Sequence, residues 1–65
     1  MNNNTKLEIA IEIMSAKIAK TSRENIEEKD EKLKTLLEER SKMYKFDEKI
    51  IDKIINVYGK EVKGE

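Results

Sequence analysis

Cysteine, histidine, proline and tryptophan are all missing from this 65-residue sequence, and glycine occurs only twice. Without cysteine there is no disulfide and no thiolate zinc site, and the chain suits a reducing compartment. Without histidine it lacks the commonest near-neutral general base and imidazole ligand. The Glu-x-x-His pairs of di-metal carboxylate bundles are excluded with it. No glycine-rich loop is present to cradle a phosphate. An enzyme is therefore not expected, and neither a metal nor a cofactor is implied. The absence of proline, with glycine only at positions 59 and 64, leaves long stretches free to be helical. No apolar run approaches the roughly 18 residues of a membrane span. The opening MNNNTK lacks a basic region followed by an apolar block, so no secretion signal and no membrane partner are expected. A cytoplasmic protein is the resulting expectation.

What is present is charge and aliphatic bulk. Charged residues make up 43% of the chain, and Glu, Lys, Ile and Leu dominate it. The β-branched isoleucines argue mildly for strands, but their spacing is helical rather than alternating, so an all-α fold is expected. One small domain spans 1–65, with 1–4 and 60–65 expected to be loose. In so short a chain, burial at roughly 25 cal/mol per Å² about cancels an ordering cost of roughly 1.5 kcal/mol per residue. With disulfides and zinc excluded, close helix packing or self-association has to make up the difference.

The stretch Leu7 to Ala19, LEIAIEIMSAKIA, carries nine apolar residues in thirteen. At about 100° per residue, Leu7, Ile11, Met14 and Ile18 fall within roughly 60° of one another. Ala10 lies beside them. Ile9, Ile13 and Ala16 form a second strip on nearly the opposite side, with Glu8, Glu12 and Ser15 between. A helix apolar on two sides needs two neighbours. A three-helix chain could clasp both strips itself, or one strip could meet another copy. The reading adopted is a homo-oligomer assembled through this helix, with Leu7, Ile9, Ile11, Ile13, Met14, Ala16 and Ile18 as interface. Glu8 and Glu12 share a face and read as solvated surface rather than a cation site.

Asn4 or Thr5 is suited to cap this helix. Residues 20–31, KTSRENIEEKDE, hold one apolar side chain, Ile26. Thr21 and Glu24 have capping-box spacing, so a new helix can start after a break near Lys20–Ser22. One helix from Thr5 to Tyr44 is the alternative, since no glycine or proline forces a break. From Ile26 onward, Ile26, Leu33, Leu36, Leu37, Met43 and Tyr44 form one narrow stripe, interrupted by Lys29 and Arg40. Glu28–Lys32, Asp30–Lys34 and Glu38–Lys42 are four apart with the acid first, the better orientation on a helix. Asp47 is a good N-cap, and Phe46 before it can staple onto Ile51. The third helix gathers Ile50, Ile51, Ile54, Ile55, Val57 and Tyr58 on one face, and Gly59 stands where a left-handed C-cap is wanted. Three helices are expected, about 5–20, 22–44 and 48–59, or one long helix and a shorter one. They form an antiparallel hairpin in an oligomeric bundle. Tyr44 and Tyr58 are expected at the core edge with their hydroxyls in water, and Met14 and Met43 inside as gap fillers.

Charge is unevenly distributed along the neutral chain. Residues 1–23 carry four basic and two acidic side chains, 24–39 three and seven, 40–64 seven and four. That arrangement favours antiparallel neighbours. Lys45, Lys49, Lys53, Lys60 and Lys63 fall on one strip of the third helix. As an anion site the strip would bind nucleic acid or another phosphate-bearing partner. The missing arginines, Asp52 at its edge and the zero net charge favour a solvated face instead.

Two resemblances accompany these patterns. Arg40-x-x-Met43-Tyr44, then Asp47 and an isoleucine-rich helix to Tyr58, resembles the small helical hairpins that act as aspartyl-phosphate phosphatases on sporulation regulators. That family carries a Ser-Gln-Glu-Leu-Asp stretch in its second helix. This chain has Asp47-Glu-Lys-Ile-Ile-Asp-Lys-Ile-Ile-Asn there, so the likeness implies the hairpin and carries no catalytic residue. Leu7-Glu-Ile-Ala-Ile-Glu-Ile-Met with Ile50-Ile-Asp-Lys-Ile-Ile-Asn-Val-Tyr-Gly-Lys-Glu-Val resembles small accessory proteins of conjugative elements in Gram-positive gut bacteria. It implies an intracellular, mobile-element setting and assigns no site. The function expected is that of a non-enzymatic helical interaction or accessory protein. Nucleic-acid binding through the lysine strip is the alternative, and the partner is a second copy or another protein.

Overall fold

The computed structural model describes residues 3–63. Three helical rods and no strand occur among them. Helix α1 is Asn3–Arg23 and helix α2 is Lys29–Tyr44. The third rod, α3, spans 48–63 without interruption. It is α-helical over Glu48–Lys53, makes a π-helical turn over Ile54–Tyr58, and is α-helical again over Gly59–Lys63.

Helix α1 runs past the break expected at Lys20–Ser22 and ends at Arg23. The reason is burial. Leu7, Ala10, Met14, Lys17 and Thr21 follow one another at alternating spacings of three and four, a single seam within about 80° of the helix circumference. Thr21 is 1% exposed and belongs to that seam, so packing holds it in the helix against its tendency to cap. The connection is 24–28, where the Thr21 carbonyl accepts the Glu24 N–H at 3.1 Å and the Ile26 carbonyl accepts the Lys29 N–H at 3.3 Å. Thr21 is thus no N-cap. Glu28 holds that position for α2 without a side-chain bond. Asn4 and Thr5 likewise lie inside the first turn of α1 rather than capping it.

The α2–α3 turn uses the expected Asp47, whose carboxylate accepts the Lys49 and Ile50 N–H groups at 3.1 and 3.3 Å. Helix α2 ends in a Schellman arrangement. The Asp47 N–H donates back to the Lys42 carbonyl, and the Phe46 N–H to that of Met43. The left-handed position this demands is filled by Phe46, with φ 63°. Gly59 is not a helix stop. It has φ −59° and donates its N–H to the Ile54 carbonyl, five residues back, which carries the rod on to Lys63. Residues 60–63, expected to be loose, are therefore helical.

The core is built from pairs supplied by each rod: Ala10 and Met14, Leu36 and Met43, Ile51 and Ile54. Both methionines are fully buried. Leu7, Ile11, Ile13, Ile18, Ile50, Ile55 and Tyr58 pack around them. Val57, assigned to the core face from its spacing, is instead exposed. Helix α1 lies against both α2 and α3 of the same chain. Ion pairs join α1 to α3 in a parallel sense, early residue to early and late to late, which differs from the antiparallel acidic-to-basic matching expected from the charge distribution. Lys6 meets Asp52 at 3.5 Å and Lys17 meets Glu61 at 2.6 Å, each joining α1 to α3.

Candidate functional site

The core also carries polar side chains. Beyond Met14 the α1 seam continues with Lys17 and Thr21, and beyond Leu36 the α2 seam continues with Glu39 before Met43. Glu39 is 7% exposed, a carboxylate inside a small core. It is fully engaged. Lys53 Nζ donates to Oε2 at 2.5 Å and the Tyr58 hydroxyl to Oε1 at 2.5 Å. The Tyr58 ring lies between two ammonium groups, Lys53 Nζ at 5.3 Å and Lys17 Nζ at 5.5 Å from its centroid. Such distances are within reach of cation–π attraction.

These contacts fix the protonation states. The hydrogen bond to Glu39 raises the Lys53 pKa above its ordinary value of 10.5, outweighing partial burial. Desolvation raises Tyr58 above 10.0, and its bond to Glu39 adds to that. Near neutral pH Lys53 is thus an ammonium and Tyr58 a neutral donor, so neither is poised to take a proton. An open cleft of about 420 Å³ beside this cluster is lined by Lys17, Thr21, Glu28, Lys32, Tyr58 and Glu61 among others. Lysines and glutamates alternate around it, so it offers no field of one sign to a charged ligand. No group of three or more Asp, Glu, His or Cys side chains is placed to hold a metal ion among the described residues.

The residues singled out in the sequence are distributed differently. Met14 is buried, and Leu7, Ile9, Ile11, Ile13, Ala16 and Ile18 are half-buried within the one chain. Ile13, on the second strip, packs against α3 so closely that a Cβ on Gly59 would lie 3.2 Å from its Cδ1. Ile13 of the second strip thus meets α3 of its own chain, one of the two arrangements the sequence left open. The lysine strip is also broken up. Lys45, Lys49, Lys60 and Lys63 are exposed, but Lys53 bonds to Glu39. The π turn inserts about one residue into the helical count, which rotates Lys60 and Lys63 by about 100° relative to Lys49.

The single stripe expected on α2 divides in two. Leu36 and Met43 face the core with Glu39. Leu33, Leu37 and Tyr44 fall within about 40° of one another on a separate line, about 100° round the helix. Leu37 is 45% and Tyr44 55% exposed. A shallow, nearly flat depression of about 450 Å³ lies on this side of α2, lined by Asp30, Leu33, Lys34, Leu37, Glu38 and Ser41. The spacing of Leu33, Leu37 and Tyr44 was visible in the sequence, but merging it with Leu36 and Met43 concealed a second face. Tyr58 also departs from expectation, since its hydroxyl goes to Glu39 rather than to water. Phe46 is half-exposed over a small pocket that it shares with Lys6, Glu48, Ile51 and Asp52.

No protein-family model, curated protein or solved structure matches the chain. No helix among the described residues is long and apolar enough to cross a membrane.

Proposed function

We propose that this chain is a non-enzymatic helical interaction protein, of accessory or regulatory kind, that works in the cytoplasm by binding another polypeptide along the outer face of α2. The observation that carries the reading is the line of half-buried Leu33 with exposed Leu37 and Tyr44. Single exposed apolar residues need no explanation, but a line of them along a shallow depression is what a partner helix packs against. The polar cluster supports the same reading from the other side. Its carboxylate, phenol and ammonium are bonded to one another, so its chemistry is that of a clamp joining α2 to α3.

Self-association through α1, the assembly expected from sequence, would draw Ile13 away from Gly59 and undo a contact of the folded chain. The proposal therefore moves the contact to α2. Nucleic-acid binding is not favoured by any specific contact, with Lys53 engaged and Lys60 and Lys63 turned aside. The mobile-element setting belongs to the proposal too, resting only on the resemblance of the two isoleucine-rich ends to accessory proteins of conjugative elements.

A photo-cross-linking residue at Leu37, compared with one at the exposed Glu12 on α1, tests this in the cells that make the protein. Polypeptide adducts from position 37 and none from position 12 are expected. Equal yields at both positions, or no adduct at 37, would overturn the proposal.

A further inference from the structure

We infer that the occupant of the α2 face is a second copy of the same chain, lying antiparallel about a two-fold axis level with residue 35. This rests on the reading of α2 as a contact face and adds the identity and register of the partner.

A two-fold contact presents the same face from both copies. On the outer side of α2, half-buried Leu33 and exposed Leu37 lie four apart. Antiparallel pairing that sets Leu33 across from the partner's Leu37 also sets Leu37 across from the partner's Leu33. The flank of the depression obeys the same register. Lys34 and Glu38, each one residue beyond a leucine, border it. In that register Lys34 stands within about two residues, about 3 Å of rise, of level with the partner's Glu38, a gap that long side chains span. Both copies make that pairing, giving two opposite-charge contacts. A parallel two-fold pair puts the Lys34–Glu38 flanks of the two copies on opposite sides of the contact, where neither opposite-charge pairing forms.

The ends of α2 give the same answer. Its approach and first turn are acidic (Glu27, Glu28, Asp30, Glu31) and its last turns basic (Arg40, Lys42, Lys45). Antiparallel copies bring each acidic end beside a basic end, whereas parallel copies oppose like with like. The outer face of α2 is thus complementary to itself in one direction only. Helices of this length bury less than a standard interface, so a dimer dissociating at about 10–100 µM is expected.

Sedimentation equilibrium of the full chain, loaded up to about 500 µM, tests the assignment. Wild type is expected to dimerise. Leu33→Glu/Leu37→Glu should weaken the dimer at least about 100-fold with its helical circular dichroism unchanged. Lys34→Glu and Glu38→Lys should each weaken it about tenfold, and the two variants mixed should form a heterodimer tighter than either alone. The mixing experiment reports on the contact between chains, because neither variant changes on being mixed. A monomer at every loading, a dimer indifferent to Leu33→Glu/Leu37→Glu, or a mixture no tighter than its parts overturns the second-copy assignment. A monomer whose position 37 still cross-links to a different polypeptide leaves the interaction reading standing. A monomer with no adduct at 37 removes both.

Discussion

Gly59 of α3 and Ile13 of α1 face each other across a tight contact: a Cβ at position 59 would stand 3.2 Å from the Ile13 Cδ1. The glycine is buried in the middle of a continuous rod, where glycine costs about 1 kcal/mol relative to alanine. Its small size there serves packing. Gly59→Ala asks only the end of a flexible, half-buried side chain to yield a few tenths of an ångström. Urea denaturation should show it more stable by about 0.5 kcal/mol, the helical gain exceeding the displacement. Gly59→Leu should lose about 1–3 kcal/mol by forcing the rods apart. Equal stability for the two variants would mean that the helices do not meet at this point.

The Glu39 cluster predicts a loss of stability in alkali. Lys53 and Tyr58 both hold their protons more tightly folded than unfolded. Their stabilisation is therefore complete below their ordinary values of 10.0 and 10.5 and is lost as pH rises through the higher folded values. Ionised Tyr58 could no longer donate to Glu39. Tyr58→Phe removes that donor at every pH and should cost about 1 kcal/mol near neutrality. It should also shrink the decline between about pH 9 and pH 12. An alkaline decline unchanged in Tyr58→Phe and in Lys53→Met would place its origin elsewhere. Lys53 itself is partly exposed, so water screens its pairing and discounts its share.

Phe46 occupies a left-handed position that L side chains enter at a cost of about 1–2 kcal/mol. Phe46→Gly removes that strain at an entropic cost of about 0.5–1 kcal/mol. The net expectation is a gain of about 0.5 kcal/mol in urea denaturation. Asp47→Ala, one residue on, should lose about 1 kcal/mol with the cap. Phe46→Gly less stable than wild type by more than about 1 kcal/mol would show that the half-exposed ring contributes more than its backbone strain removes.

The helices, the Asp47 cap and the buried methionines were legible because each depends on local pattern: aliphatic spacing, a short acceptor before a helical run, a flexible side chain on the apolar line. What the pattern hid depends on the third dimension. Thr21 and Glu24 matched a capping box, yet Thr21 was also the next position of the α1 seam, and packing decided between the two. Glu39 stood three after Leu36 and four before Met43, a seam position by spacing. It was passed over because a lone carboxylate is ordinarily on the surface, and its partners lie 14 and 19 residues ahead. Gly59 looked like a stop because the π turn before it leaves no simple trace in composition. The two-faced character of α1 was legible in its spacing, but spacing alone does not say whether a helix of the same chain or another copy covers each side. Residues 60–63 were expected to be loose, and they are instead the last turn of α3, continuing from Gly59.

Whether α1 is covered by its own chain while α2 keeps an outward apolar face is tested most directly by comparing Ile13→Glu with Leu37→Glu in urea at low micromolar concentration. The account predicts that Ile13→Glu loses about 2–4 kcal/mol, as expected for a charge forced against a packed interior. Leu37→Glu should remain within about 0.5 kcal/mol of wild type. A stably folded Ile13→Glu monomer, or an unfolded Leu37→Glu, would contradict it.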